Sequence, residues 1–194
     1  MNQKEELEKA FYMMPIHRDL LEYWKKNEET DAIKKALRFL FLSNFTLYGK
    51  MDTLNFKLRN DDKQQIENYL ERTFKFLHKV KLNNKDFRKF FSALSFIDID
   101  YGKPSGERGF TFIYNDPPYQ NTTDNYSNSF VKQDLIDLIE TNIATGCKFA
   151  ISEFDTDVVL ELAAEYNLEV ITIGERKSLK NRRTEILIVN YKSP

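Results

Sequence analysis

In the second half of this chain short apolar runs alternate with amphipathic stretches, and that alternation narrows the folds open to it more than any other feature. Phe110–Asn115, Lys148–Glu153, Leu168–Gly174 and Glu185–Tyr191 read as strands. Ser129–Thr145 has helical spacing, with Phe130, Leu135, Leu138 and Ile139 inward. Asp155–Tyr166 reads as a further helix with Asp155 as its N-cap. Strand, helix, strand, helix, strand with short connections predicts a parallel α/β sheet. Ligands of such sheets bind beyond the carboxyl ends of the strands.

The first part of the chain has another character. Glu5–Met14 reads as a charged helix ending before Pro15, and Ile16–Lys26 as a second. Asp31–Leu42 carries Ile33, Leu37, Leu40 and Phe41 at helical spacing, with Thr30 or Asp31 as N-cap. Asn44–Leu58 is aromatic and polar and reads as a loop or short hairpin. Asp61–Phe76 returns to helix, with Ile66, Tyr69, Leu70, Phe74 and Leu77 on one side. Val80–Leu82 is a candidate short strand, Lys85–Leu94 a helix and Phe96–Gly109 an irregular connection. The expected division is therefore a helical region over residues 1–79 and an α/β region over 80–194.

Composition sets outer limits. A chain of 194 residues with 41% hydrophobic content can bury a real core. Lys and Arg number 29 against 30 Asp and Glu, which neither favours nor excludes nucleic acid, since a local basic face suffices for phosphate. The one cysteine, Cys147, excludes an internal disulfide and a cysteine-based zinc site, and it suits a reducing, cytoplasmic setting. The N-terminal stretch has no apolar core of a signal peptide, and no segment approaches the roughly 18 apolar residues that would cross a membrane. With 6 glycines, the chain has little from which to build a glycine-rich phosphate loop.

Chemistry concentrates at Asp116-Pro117-Pro118-Tyr119, which follows the apolar run Phe110–Asn115. Each proline fixes its own φ, lacks an N–H and extends the residue before it. The tetrapeptide is stiff and rich in acceptors: the Asp116 carboxylate and backbone carbonyls. An exocyclic amine brings two N–H groups to such a pair of acceptors, and Tyr119 can stack on the ring that bears it. A base in a duplex must first be flipped out, at a cost of a few kcal/mol. Acceptors aimed at the amine hydrogens favour the pyramidal form whose lone pair can attack an electrophilic methyl held in line.

These residues, Phe112-Ile113-Tyr114-Asn115-Asp116-Pro117-Pro118-Tyr119, resemble motif IV of the adenine-N6 DNA methyltransferases of the Dam-like class. Arg38–Phe45 with Tyr48-Gly49-Lys50 resembles a segment of that class's recognition region. Leu82–Phe87 is similar to the strand and turn before motif IV, Ala150–Glu153 to motif V, and Arg183–Tyr191 to the closing strand. The resemblance implies a partial S-adenosylmethionine-dependent methyltransferase (Rossmann-like) sheet with an N-terminal helical recognition subdomain. It also implies double-stranded DNA as partner. By residue, it implies that Asp116 accepts from the adenine amine and lies near the methionine end of S-adenosylmethionine. Pro117 offers its carbonyl, Pro118 stiffens the turn, and Tyr119 stacks on the base. Ser152 and Glu153 would lie beside the cofactor's adenine side, although the class often has Ser-Asn there. Asn44, Phe45, Tyr48 and Lys50 would face DNA. The class also has a Phe-x-Gly-x-Gly loop, which the glycines at 49, 102, 106, 109, 146 and 174 do not form. The cofactor-binding segment is therefore expected elsewhere, in a second polypeptide or a missing portion. The Phe110–Asn115 strand is then expected at an open sheet edge, free to pair with a partner or a second copy. The alternative is a catalytically inactive DNA-binding or regulatory remnant.

The rest is less specific. Lys177, Lys180, Arg182 and Arg183 form a basic stretch suited to phosphate contact or to plain solvation. Phe45, Tyr48 and Phe56 interleave with Lys50, Lys57 and Arg59, which fits base stacking or the core of a small domain. Asn121–Ser129 is polar enough to close over a substrate, and Asp98 with Asp100 lacks the third ligand a metal would need.

Overall fold

A computed structural model describes residues 3–49, 52–55, 62–96, 106–119, 130–177 and 182–192. The chain forms two compact units, Met1–Leu82 and Asn83–Pro194.

The first unit is helical. Helix α1 (Gln3–Met13) stops ahead of Pro15. Helix α2 (Arg18–Lys26) opens on His17, whose Nδ1 accepts the Asp19 amide at 3.2 Å. Helix α3 (Ala32–Phe45) opens on Asp31, whose carboxylate accepts the Lys34 amide at 2.9 Å. Helix α4 (Asp62–Leu77) follows. The core joins Phe11, Leu21, Trp24, Phe41, Leu42 and Phe45, with Trp24 edge-on to Phe41 at 5.0 Å between ring centres. Of the apolar stripe on α4, Ile66 and Leu70 pack against this core, whereas Tyr69 and Leu77 stay exposed. Lys63 ties α4 to α1 by donating to the Tyr12 and Met14 carbonyls at 2.6 and 2.7 Å, and its burial lowers its pKa. The stretch after α3 is hairpin-like: Thr46 bridges Leu54 antiparallel, and the Asn55 amide donates to the Phe45 carbonyl at 2.9 Å.

The second unit is mixed α/β. Helix α5 (Phe87–Ser92) is capped by Asp86, which accepts the Arg88 amide at 3.0 Å. Strand β1 (Phe112–Asn115), helix α6 (Lys132–Thr145), strand β2 (Lys148–Phe154) and helix α7 (Asp157–Glu165) follow in order. Strands β3 (Glu169–Lys177) and β4 (Arg182–Val189) complete a four-stranded sheet of order β1-β2-β4-β3. The β1–β2 pair is parallel, while β4 runs antiparallel to both β2 and β3. This corrects the expectation of a parallel sheet. The β3–β4 connection is too short for a crossover helix, so the chain can only turn back on itself. Val80–Leu82 forms no strand, and the N-cap of α7 is Thr156, without a side-chain bond, rather than Asp155.

One face of this sheet carries the core. The register aligns Ile113 with Phe149, Ile151 with Ile188, and Glu153 with Ile186, so these side chains share a face. Against it pack Leu135, Leu138 and Ile139 of α6, at i, i+3 and i+4, together with Val159, Leu162 and Ala163 of α7. Phe112 and Tyr114 point the other way and are 54% and 58% exposed. Helix α6 ends at Gly146, whose φ of +68° is left-handed and whose α-carbon lies under Arg108. Asn190 pins the start of β2: it donates to the Cys147 carbonyl at 2.8 Å and accepts the Phe149 amide at 2.9 Å.

Candidate active site

The turn after β1 begins from a fixed point. The Asn115 amide group donates to Asn142 Oδ1 at 3.0 Å and to the Ala150 carbonyl at 3.3 Å, and Asn142 is fully buried. Asp116, Pro117, Pro118 and Tyr119 then leave the sheet at the carboxyl end of the parallel pair. No peptide bond in the described chain is cis.

Two environments meet at Asp116. On one side is a cavity of about 430 Å³ lined by Asp86, Phe87, Arg88, Asn115, Asp116, Pro117, Pro118, Phe130, Asp134 and Leu138. Its wall is braced by Arg88, whose guanidinium donates to Asp134 at 2.6 Å and to Asp137 at 2.7 Å. Hydrogen bonds to Asp134 and then Asp137 raise the Arg88 pKa. Asp134 is lowered first by the Val131 amide and then by Arg88, and Asp137 first by Gln133 and then by Arg88. With Phe87, Phe130 and the Asp116 carboxylate in its lining, the cavity can take a flat ring that carries N–H donors.

On the other side runs a chain of oxygens. Ser152 Oγ lies 3.1 Å from Asp116 Oδ1 and 2.5 Å from the Tyr119 hydroxyl, which lies 2.7 Å from Glu185 Oε1. The Tyr119 ring stands edge-on to Phe154, 4.6 Å between centres at 87°. Burial above all raises the Tyr119 pKa; Glu185 and the Asp116 charge add to this, and the Ser152 bond opposes it. The phenol is therefore held neutral.

The expected site residues divide accordingly. Asp116, Pro117 and Pro118 line the cavity, while the Tyr119 ring rests on Phe154. Ser152 is fully buried and bonded to Asp116. Glu153 is fully buried on the core face, where its carboxylate accepts the Phe154 amide at 2.9 Å, so it does not reach the cavity. Phe45 is fully buried in the core of the first unit, which corrects its placement on a DNA-facing surface. Asn44 is exposed and donates to the Leu40 carbonyl at 2.9 Å. Tyr48 lies in the 3₁₀ turn Leu47–Gly49. Lys177 and Arg182 stand at facing positions of β3 and β4, and Arg183 lies over the Phe154 ring at 5.1 Å. Lys50, Lys180, Phe56, Lys57, Arg59, the Asp98 and Asp100 pair and the Asn121–Ser129 loop fall outside the described residues.

Among the described residues no group of three His, Cys, Asp or Glu side chains could hold a metal ion, and no helix is long and apolar enough to cross a membrane. Residues that the sequence did not mark for the site are Glu185, Phe154 and Arg88, while Phe130, expected as an inward residue of its helix, lines the cavity. Only the alternation in β4, which sets Glu185 on the face opposite Ile186, carries a trace of the first. No protein-family model matches this chain, and no curated protein matches it.

Proposed function

We propose that the chain is the base-binding and recognition portion of an adenine-N6 DNA methyltransferase of the Dam-like class. The observation that carries this reading is the Asp116-Pro117-Pro118 turn, which lines a ring-sized cavity at the carboxyl end of a parallel strand pair. Asp116 accepts one N–H of a flipped adenine, and the Pro117 carbonyl accepts the other. Tyr119 stacks on the base once its ring leaves Phe154.

S-adenosylmethionine would supply the electrophilic methyl. Its fit rests on Asp116, an acceptor suited to an amine-bearing ligand, since Asp86 and Asp134 in the same lining are paired with Arg88. Asp116 and the Ser152 bonded to it are the residues that would hold it, and Glu153 is too deep to take part. Strand β1 is paired on one side only among the described residues, so a strand from a second polypeptide or a second copy can extend the sheet there.

A second reading, a DNA-binding or regulatory protein without catalysis, is favoured by the inward position of Tyr119. Methyl transfer from labelled S-adenosylmethionine to double-stranded DNA decides between them, measured for the wild type and Asp116→Ala. Transfer that Asp116→Ala abolishes supports the enzyme. With the polypeptide that carries the cofactor-binding segment added, DNA binding without transfer supports the second reading, and the absence of both discards the two together.

A further inference from the structure

We propose that a second copy of this chain pairs with the open edge of β1, antiparallel and about a twofold axis through Ile113. Among the described residues β1 is paired on one side only, by β2. Sheets guard such edges with charges, prolines or bulges. The other outer strand, β3, has such guards: a break in register between Thr172 and Gly174, and the run Glu175-Arg176-Lys177 at its end. Strand β1 has none of them in Phe112-Ile113-Tyr114-Asn115. It carries instead two aromatic rings, Phe112 and Tyr114, that are more than half exposed.

The pattern of the strand selects a copy of itself as the occupant. Thr111-Phe112-Ile113-Tyr114-Asn115 reads polar, aromatic, aliphatic, aromatic, polar from either end. Directly opposed residues of an antiparallel pair share a face. With Ile113 opposite Ile113, Phe112 of each copy meets Tyr114 of the other, which makes two aromatic pairs on the exposed face. On the other face the two Ile113 side chains continue the apolar row that runs through Phe149. Charge agrees with this direction. The acidic end of each strand, at Asp116, comes alongside the other copy's start, where Arg108 precedes the strand and Lys148 stands beside Phe112 on β2. A parallel pair would set like ends together. The twofold axis closes the contact, so association stops at two copies.

The size of the contact sets its strength. An aromatic side chain offers about 150–250 Å², and Phe112 and Tyr114 are 54% and 58% exposed. The rings therefore bring roughly 200 Å² per copy, and a ladder of four residues adds little more. A stable dimer buries about 1,200 Å² or more in total. The pair is therefore weak and forms as concentration rises. It concerns the edge alone and stands whatever the cavity binds. An edge held by a second copy is closed to other strands. On the methyltransferase reading, the pair competes with the polypeptide that would bring the cofactor-binding segment.

Sedimentation velocity of the wild-type chain over a concentration series should show a monomer–dimer equilibrium and no larger species. Tyr114→Glu removes both symmetry-related aromatic pairs and should weaken the dimer by about 5- to 150-fold. Mixing Tyr114→Glu with Phe112→Lys should restore association, because the mixture sets opposite charges in one pair and leaves the aromatic pair in the other. Cross-linking reads the register. In a mixture of Phe112→Cys and Tyr114→Cys, oxidised glutathione should link the copies, since opposed α-carbons lie about 5 Å apart. Each variant alone should lag, because the same position in the two copies is about 8 Å apart, beyond the reach of a disulfide. The native Cys147 is 1% exposed and should not contribute. All four variants change exposed side chains, so the fold should hold. A monomer at every concentration overturns the proposal and leaves the methyl-transfer assay untouched. So does a dimer that Tyr114→Glu leaves intact, or cross-linking as fast in the single variants as in their mixture.

Discussion

Asn190→Ala tests how the end of β4 sets the position of β2, and with it the approach of Ser152 to Glu185. The Asn190 side chain makes two bonds, to the Cys147 carbonyl and from the Phe149 amide, at 2.8 and 2.9 Å. Cys147 and Phe149 are both buried, so in the folded chain the Asn190 amide is what satisfies these backbone groups. Two hydrogen bonds at the usual net value give a loss of about 1–3 kcal/mol. The higher penalty of fully unsatisfied groups does not apply, because Asn190 itself is exposed and water can enter with the truncation. A loss of this size lowers the melting temperature by about 4 °C or more. Far-UV circular dichroism follows the melt, and amide hydrogen exchange at Phe149 reads the site directly. The only tryptophan, Trp24, is buried in the first unit and reports that unit separately. A melting shift below the equivalent of about 0.5 kcal/mol, with Phe149 still protected, would refute the argument.

Three further outcomes follow from the geometry. Arg88→Met should weaken the acid dependence of stability: Asp134 and Asp137 have lowered pKa values, so their stabilisation is present above the usual carboxylate range and is lost as pH falls, which acid titration of the two proteins compares. Tyr119 should be among the last phenols to ionise, because its pKa is raised from the ordinary 10.0; above that pH the unfolded chain releases a proton that the folded one keeps, so stability falls as pH rises. Spectrophotometric titration of Tyr119→Phe should lack that high-pH component. Gly146→Ala should cost about 1–2 kcal/mol from the left-handed backbone alone, and its β-carbon would meet Arg108 Cδ at 3.3 Å, so calorimetry should show a loss and a crystal structure of the variant a shifted Arg108.

The parts of this structure that were legible in the sequence are those fixed by local pattern. The Asp31 cap, the Leu135, Leu138 and Ile139 face of α6, and the placement of Asp116 at a strand end all follow from spacing and from proline. The parallel sheet was misread because insertion of β4 between β2 and β3 is a matter of pairing, and the apolar runs are silent about their neighbours. The inward Tyr119 was hidden for the same reason: it depends on Ser152 and Glu185 meeting across the β2–β4 register, far apart in sequence. Phe45 shows the ambiguity of aromatics, since a residue type that stacks on bases also fills the core of a small helical unit.

Strand β4 stands inside the sheet although β1, β2 and β3 all precede it in the chain. During synthesis β3 therefore emerges before the strand that will pair with it. Until β4 arrives, both β2 and β3 offer open backbone edges, and an open edge invites pairing with other chains. Slow translation through residues 178–189 would prolong that interval. Aggregation during expression should then depend on the codons of this segment, even though they leave the finished protein unchanged.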